Sequence, residues 1–369
     1  MVIGIDGNEA NIEHRVGIGE YAYELLREFE RFKIDDLRFK IYLKELPLNH
    51  MPKEREGWRY LIFGPTMLWT QFALPLKLFA SRNKPDVFFS PSHYRPRFSP
   101  VPTAISIMDL SFIKYPQLFN KKDLNQLGAW TAYSARKASL VFTISDSSKN
   151  DIIRQYNLEA NTVVVTHLGI KSDRQKIIVK NVKEKYGIRG DFVLFVGTIQ
   201  PRKNISRLIE AFSKVSNKSL LLVIVGKKGW QYEDIFDAPR KFEIEDRVKF
   251  LDFVADEDLF ALYGEALCFI LPSLYEGFGL PILEAMKYGC PVITSNVSSM
   301  PEAGGDAALY VDPQDVDDIA KKIEQLVSDE KLRKELIEKG YKQIKKFSWE
   351  KTAKETLAAL ESLSIKKQI

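Results

Sequence analysis

Short apolar runs recur along the whole 369-residue chain, and a stretch with helical periodicity separates each from the next. In the first half they are Val2–Asp6, Phe39–Leu43, Val87–Ser90, Thr103–Met108, Leu140–Ile144 and Thr162–Thr166. In the second half they are Val193–Gly197, Leu220–Gly226, Val248–Leu251, Leu267–Leu271, Val292–Thr294 and Ala308–Val311. Runs that are apolar on both faces belong in parallel sheets covered on both sides by helices. The predicted class is therefore α/β, with two parallel sheets in tandem. The stretch KSDRQKIIVKNVKEKYGIRG, residues 171–190, is charged and holds no strong strand, so the break is placed there. The predicted domains are 1–172 and 173–348. Several strands end in Gly, Asp or Ser, where open α/β sheets place ligands, and two such sheets facing one another would form a cleft.

Composition removes several classes. Hydrophobic residues make 45% of the chain and charged residues 28%, values of an ordinary water-soluble domain. No run of about 18 apolar residues is present, so no membrane-spanning helix is expected. The start, MVIGIDGNEA, enters a strand pattern without a basic leader region, which reads against a secretory signal and for a cytoplasmic protein. Cys268 and Cys290 both lie in apolar segments and read as reduced core residues. Four scattered histidines lack metal-ligand spacing. The net charge of +5 is mild, compatible with an acidic substrate or an anionic surface. Basic residues are dispersed and no nucleic-acid recognition module is visible.

Chemistry concentrates in SLYEGFGLPILEAMKYGCPVI, residues 273–293. A strand is predicted to end at Leu271, a glycine loop to follow, and a helix to begin at Pro281. The entrance near Gly279, Leu280 and Ile282 suits a phosphate, because unpaired amide groups and the helix dipole meet there. Glu284, expected in the first turn, has a carboxylate able to accept two ribose hydroxyls. Glu276, in the loop, could serve a second sugar. Taken alone, an acidic residue in a first turn needs no ligand, since the dipole favours it by roughly 0.3–1 kcal/mol. Arg202 and Lys203, in GTIQPRKNI, follow the strand Val193–Gly197 and could meet a diphosphate; the plainer reading is a solvated turn before a helix capped by Asn204.

EGFGLPILE resembles the E-x7-E motif of retaining glycosyltransferases of family 4. The segments RVGIGEYAYELL, WTQFALPLKLF, KPDVFFSPSHY, DLSFIKYPQLF, FTISDSSKNDI, VGTIQPRKNISRLIEAF and FSWEKTAKETL resemble that family in the same order. The resemblance implies the GT-B fold, with two Rossmann-like domains facing across a cleft and a helix at about 349–369, anchored by Trp349, returning to the first domain. It implies a nucleotide diphosphate sugar as donor, GDP-mannose or a UDP-sugar, with no cofactor and no metal. It assigns catalytic roles to Glu276, Arg202, Lys203 and Asp109. Donor binding falls to Glu284, Gly277, Phe278, Gly279, Leu280, Thr198 and Val254, and to Gly17 and Gly19, a glycine loop with Tyr21 beginning the next helix.

Two departures stand out. Thr198 occupies a position where many relatives carry arginine, and Met108 precedes Asp109 where many carry histidine. His93, in SPSHYRPR, could fill nearby space, although its setting reads as an exposed loop. Asp315-Val-Asp317 matches the D-x-D form of metal-dependent transferases, but its place at a helix start is explained by capping. On the acceptor side, PTMLWTQFALPLKLFASR combines Trp69, Phe72, Leu76, Leu78 and Phe79 with Lys77 and Arg82. It could touch a membrane or simply line the fold, and the acceptor implied is a glycan or a lipid-linked sugar. Two other readings stay open: an epimerase acting on the sugar nucleotide, and a nucleotide-sugar binding protein without catalysis.

Overall fold

The computed structural model describes the chain except for Lys33, Asp35, Asn120, residues 171–180 and residues 366–369. It divides into two compact units: Met1–Lys114 with Asn120–Gly169 and Ser348–Ile369, and Tyr115–Phe119 with Ile170–Phe347. The predicted break falls partly on residues outside the description. Its remainder is packed: Val182 and Ile188 are buried, and Lys185 and Tyr186 both donate to Asp258.

The first unit is built on a seven-stranded parallel sheet. Its strands are β1 (Val2–Asp6), β2 (Arg38–Leu43), β3 (Trp58–Ile62), β4 (Val87–Ser90), β5 (Thr103–Ser106), β6 (Leu140–Thr143) and β7 (Val163–Val165). Their spatial order is β3-β2-β1-β4-β5-β6-β7. β4, β5 and β6 are buried at every residue, as continuous apolar runs in a covered parallel sheet must be. β3 has no counterpart among the predicted strands. It is an edge strand, half exposed, and its residues Trp-Arg-Tyr-Leu-Ile form no continuous apolar run.

The second unit has a six-stranded parallel sheet: β8 (Phe192–Val196), β9 (Leu221–Val225), β10 (Val248–Leu251), β11 (Cys268–Leu271), β12 (Val292–Ser295) and β13 (Ala308–Val311). The order is β10-β9-β8-β11-β12-β13. This is the doubly wound arrangement, in which the chain reverses direction across the sheet between β8 and β11. Loops leaving the C-terminal ends of those two strands diverge and leave a crevice. Cys268 and Cys290 are buried free thiols.

Two excursions break the simple halving. The segment Tyr115–Phe119 belongs with the second unit: the Tyr115 hydroxyl donates to the Leu274 carbonyl, and Gln231 donates to the Gln117 carbonyl. The helix Trp349–Ile365 belongs with the first. Trp349 is buried 6.3 Å from the Tyr21 ring, and Thr352 Oγ1 donates to the His167 carbonyl at 2.6 Å. Gly169 makes that approach possible, since a Cβ there would lie 2.1 Å from the Trp349 nitrogen. No helix among the described residues is long and apolar enough to cross a membrane.

Candidate functional site

The crevice between β8 and β11 collects the charged residues singled out in the sequence. After β8 the chain turns at Gly197 and Thr198 and forms a short 3₁₀ turn, Pro201–Lys203. After β11 it runs through Pro272–Gly279 into the helix Leu280–Lys287. Arg202 and Lys203 come from the first connection and Glu276 from the second. Arg202 Nη1 lies 2.9 Å from Glu276 Oε2, and Lys203 Nζ lies 2.6 Å from Oε1. Each carboxylate oxygen thus has its own cation. Arg202 also donates to the Tyr275 carbonyl.

Glu276 is buried, with 7% of its surface exposed. Burial alone would push its pKa up. The charges of Lys203 and Arg202, with the Lys203 hydrogen bond, overcome this and bring it down to about 2. Its backbone is held as firmly. Hydroxyls of Ser298 and Ser299 donate to the Glu276 carbonyl at 2.7 and 2.9 Å, and its own N–H points to Ser298 Oγ. These serines follow β12, and nothing in their sequence distinguishes them from other loop serines.

Asn204 does not cap the following helix through its side chain. Its amide nitrogen instead donates to the carbonyls of Pro272 and Pro313, at 3.0 and 2.6 Å. It thereby ties the Arg202–Lys203 turn to the end of β11. The left-handed backbone that this requires, φ 60°, is one that asparagine tolerates better than most residues.

The helix Leu280–Lys287 starts one residue earlier than expected. Gly279 is its N-cap with φ 100°, Leu280 is its first residue and Pro281 its second. Glu284 therefore lies beyond the first turn, and its first turn has no acidic residue. The dipole explanation for Glu284 weakens accordingly, since that effect fades within one turn. Glu284 is half-buried and accepts from the Tyr263 hydroxyl at a long 3.4 Å. Gly277 and Phe278 are buried in the loop, Thr198 is exposed past β8, and Val254 is buried in the loop past β10.

The remaining candidates lie in the first unit. Gly17 is the N-cap of the helix Ile18–Arg31, with φ 52°. Gly19 and Tyr21 are inside that helix, so the loop ends before Tyr21. Gly19 packs on the chain itself: a Cβ there would meet the Glu9 carbonyl at 3.0 Å. Asp109, three residues past the end of β5, accepts from the Ser111 N–H at 2.8 Å and so starts the short helix Ser111–Lys114. His93 is not an exposed loop residue. It is half-buried, its Nδ1 has no hydrogen-bond partner, and burial lowers its pKa against the raising effect of nearby Asp109. Met108 is half-buried beside Asp109.

Asp315 caps the helix Val316–Ser328, accepting from the amides of Asp317 and Asp318, while Asp317 pairs with Lys214. Those contacts explain both aspartates.

Comparison with known proteins identifies the family of the chain. Residues 175–343 match the family model described as Glycosyl transferases group 1. The chain is 33% identical over 368 residues to O-antigen chain mannosyltransferase B of Escherichia coli, covering 94% of this chain and 96% of that one. It is 31% identical over 226 residues to O-antigen chain mannosyltransferase RfbU of Salmonella typhimurium, covering 60% of this chain and 61% of that one. Among solved structures, sucrose-phosphate synthase from Thermosynechococcus elongatus superposes with TM-score 0.73 at 19% identity, over 98% of both chains. Anabaena HepE in complex with UDP and glucose superposes with TM-score 0.72 at 18% identity, over 98% of this chain and 99% of that one. These neighbours share the GT-B fold, and the near full-length likeness to a mannosyltransferase makes the chain a member of the group 1 glycosyltransferases.

Proposed function

We propose that this glycosyltransferase moves mannose from GDP-mannose to a hydroxyl of a growing polysaccharide or lipid-linked glycan, retaining anomeric configuration and without a metal ion. The observation that carries the reading is the meeting of Arg202, Lys203 and Glu276 where the chain reverses between β8 and β11. Two cations and one carboxylate leave a net positive site, and a nucleoside diphosphate is the anion that suits it. The helix at Leu280 adds its positive end. Mannose is favoured because the relatives are named as mannosyltransferases.

In this reading the bond from the sugar's anomeric carbon to the diphosphate breaks, and Arg202 and Lys203 offset the charge that gathers on the leaving oxygen. Glu276 faces the positive character developing on the sugar and orients it. The acceptor hydroxyl attacks the same face, and a departing phosphate oxygen takes its proton. Glu284 holds the ribose. A lipid-linked acceptor brings peripheral contact with a membrane into the same picture.

The test is incubation with GDP-mannose and a panel of UDP-sugars, with candidate glycan acceptors, followed by NMR of the products. A new glycosidic bond with the donor's anomeric configuration is the expected result. An altered sugar nucleotide without transfer would mean epimerisation, and an unchanged one would mean binding alone.

A further inference from the structure

The segment Tyr115–Phe119 packs with the second unit, although the chain on either side of it belongs to the first. Its two ends are held on opposite sides of β8, which lies between β9 and β11 in the sheet. At one end the Tyr115 hydroxyl donates to the Leu274 carbonyl at 3.3 Å, and its ring lies 6.1 Å from that of Tyr275, in the loop after β11. At the other end Gln231 Nε2 donates to the Gln117 carbonyl at 3.0 Å, and the Phe119 ring lies 5.8 Å from Trp230, in the connection after β9.

Leu274 and Tyr275 are the two residues before Glu276, and Arg202 grips the same pair. The Leu274 N–H donates to the Arg202 carbonyl at 2.9 Å. Arg202 Nη1 donates to the Tyr275 carbonyl and, at 2.9 Å, to Glu276 Oε2. Leu274 thus gives its N–H to Arg202 and its carbonyl to Tyr115. Tyr115 is half-buried and Tyr275 is buried. The Arg202 charge also reaches the Tyr115 hydroxyl, opposing the rise in pKa that burial brings. A ring that only packed on Tyr275 would need no hydroxyl, and this one is aimed at the loop that carries Glu276.

We propose that Tyr115 is a positioning residue for Glu276 and Arg202: its hydroxyl fixes the Leu274 carbonyl, and through it the short span that sets the carboxylate against the guanidinium. It acts through the loop and touches neither donor nor acceptor. A displacement of about 1 Å in a reacting group costs on the order of a hundredfold in rate, so a group that orients a sugar needs restraint on both sides. Ser298 and Ser299 hold the Glu276 carbonyl. Tyr115 supplies the matching restraint before it. The inference rests on the part given to Glu276 and Arg202 in sugar transfer.

Steady-state kinetics and hydrogen exchange of Tyr115→Phe in the full chain test it. Phenylalanine keeps the ring against Tyr275 and removes only the hydroxyl. With GDP-mannose as donor, kcat should fall about tenfold, while donor KM and calorimetric GDP affinity stay within about threefold of native. In a Glu276→Gln background the same change should cost less than about twofold, because the charge it positions is already gone. Hydrogen exchange needs no substrate. It should quicken across residues 273–279 and stay native in the helix Val316–Ser328. Undiminished kcat, full additivity with Glu276→Gln, or native exchange across 273–279 would overturn the proposal. A native chain that transfers from no nucleotide sugar would strike the transfer reading, and quickened exchange in the variant would still uphold Tyr115 as the brace of the charge pair.

Discussion

Lys203 Nζ lies 2.6 Å from Glu276 Oε1, so the carboxylate and an expected diphosphate-binding cation are directly paired. The sequence had placed these groups on different parts of the substrate. Their pairing means that a diphosphate must share or displace Glu276 on Lys203 and Arg202. Glu276→Gln should therefore lower kcat about a hundredfold or more, through loss of the charge facing the sugar, while nucleoside diphosphate binding stays level or tightens. Calorimetry with GDP beside steady-state kinetics checks both halves. A large loss of GDP affinity would sink this account.

The same pairing sets a pH dependence of stability. The Glu276 pKa is depressed in the fold, to about 2 from an ordinary value of 4.5. Its contribution is therefore present in full above pH 4.5 and disappears as pH falls toward 2. The linked loss is on the order of 3 kcal/mol. Denaturant titrations at pH 6 and pH 3 should show about 2 kcal/mol of that loss in the native chain, since pH 3 is still above the folded pKa, and a smaller one in Glu276→Gln.

Glu284 offers a cleaner separation of binding from chemistry. Its contact with Tyr263 is long at 3.4 Å, weak for an O–H donor. Tyr263→Phe should then leave kinetics within about threefold of native. Glu284→Gln should raise the donor KM on the order of 10- to 100-fold with little change in kcat, as expected for a charged hydrogen bond to an unreacting ribose.

Metal independence has a direct assay. If Arg202, Lys203 and the helix at Leu280 meet the phosphate charge, transfer measured after EDTA and exhaustive dialysis should match untreated enzyme. Recovery only on adding Mn²⁺ or Mg²⁺ would contradict it.

At Gly169 a single methyl group should loosen the helix Trp349–Ile365. A Cβ would sit 2.1 Å from the Trp349 nitrogen, backbone that cannot swing aside. Gly169→Ala should cost about 3 kcal/mol or more and raise hydrogen exchange in 349–365 before the rest of the first unit.

Twelve of the thirteen strands among the described residues were legible because parallel strands buried on both faces must be written as unbroken apolar runs. β3 escaped because an edge strand need not be. The three charged residues between β8 and β11 were legible by motif, but their mutual pairing was not, for it depends on two loops brought together by strand order. Ser298 and Ser299 were invisible, since a hydroxyl that clamps a backbone looks like any loop hydroxyl in sequence. His93 was misread for a related reason: besides its chain neighbour Tyr94 at 6.2 Å, a residue distant in sequence, Phe112 at 6.4 Å, packs beside it.

The return of Trp349–Ile365 to the first unit also fixes an order of events on the ribosome. The last strand of the first sheet, β7, ends at Val165, yet the helix that packs against Ile18–Arg31 and β4 emerges only after nearly the whole second unit has been made. At ordinary elongation rates that interval is roughly ten to forty seconds. During it the flank of the first half around Tyr21 lacks the helix that covers it in the finished fold, while every strand of the second unit has already been made.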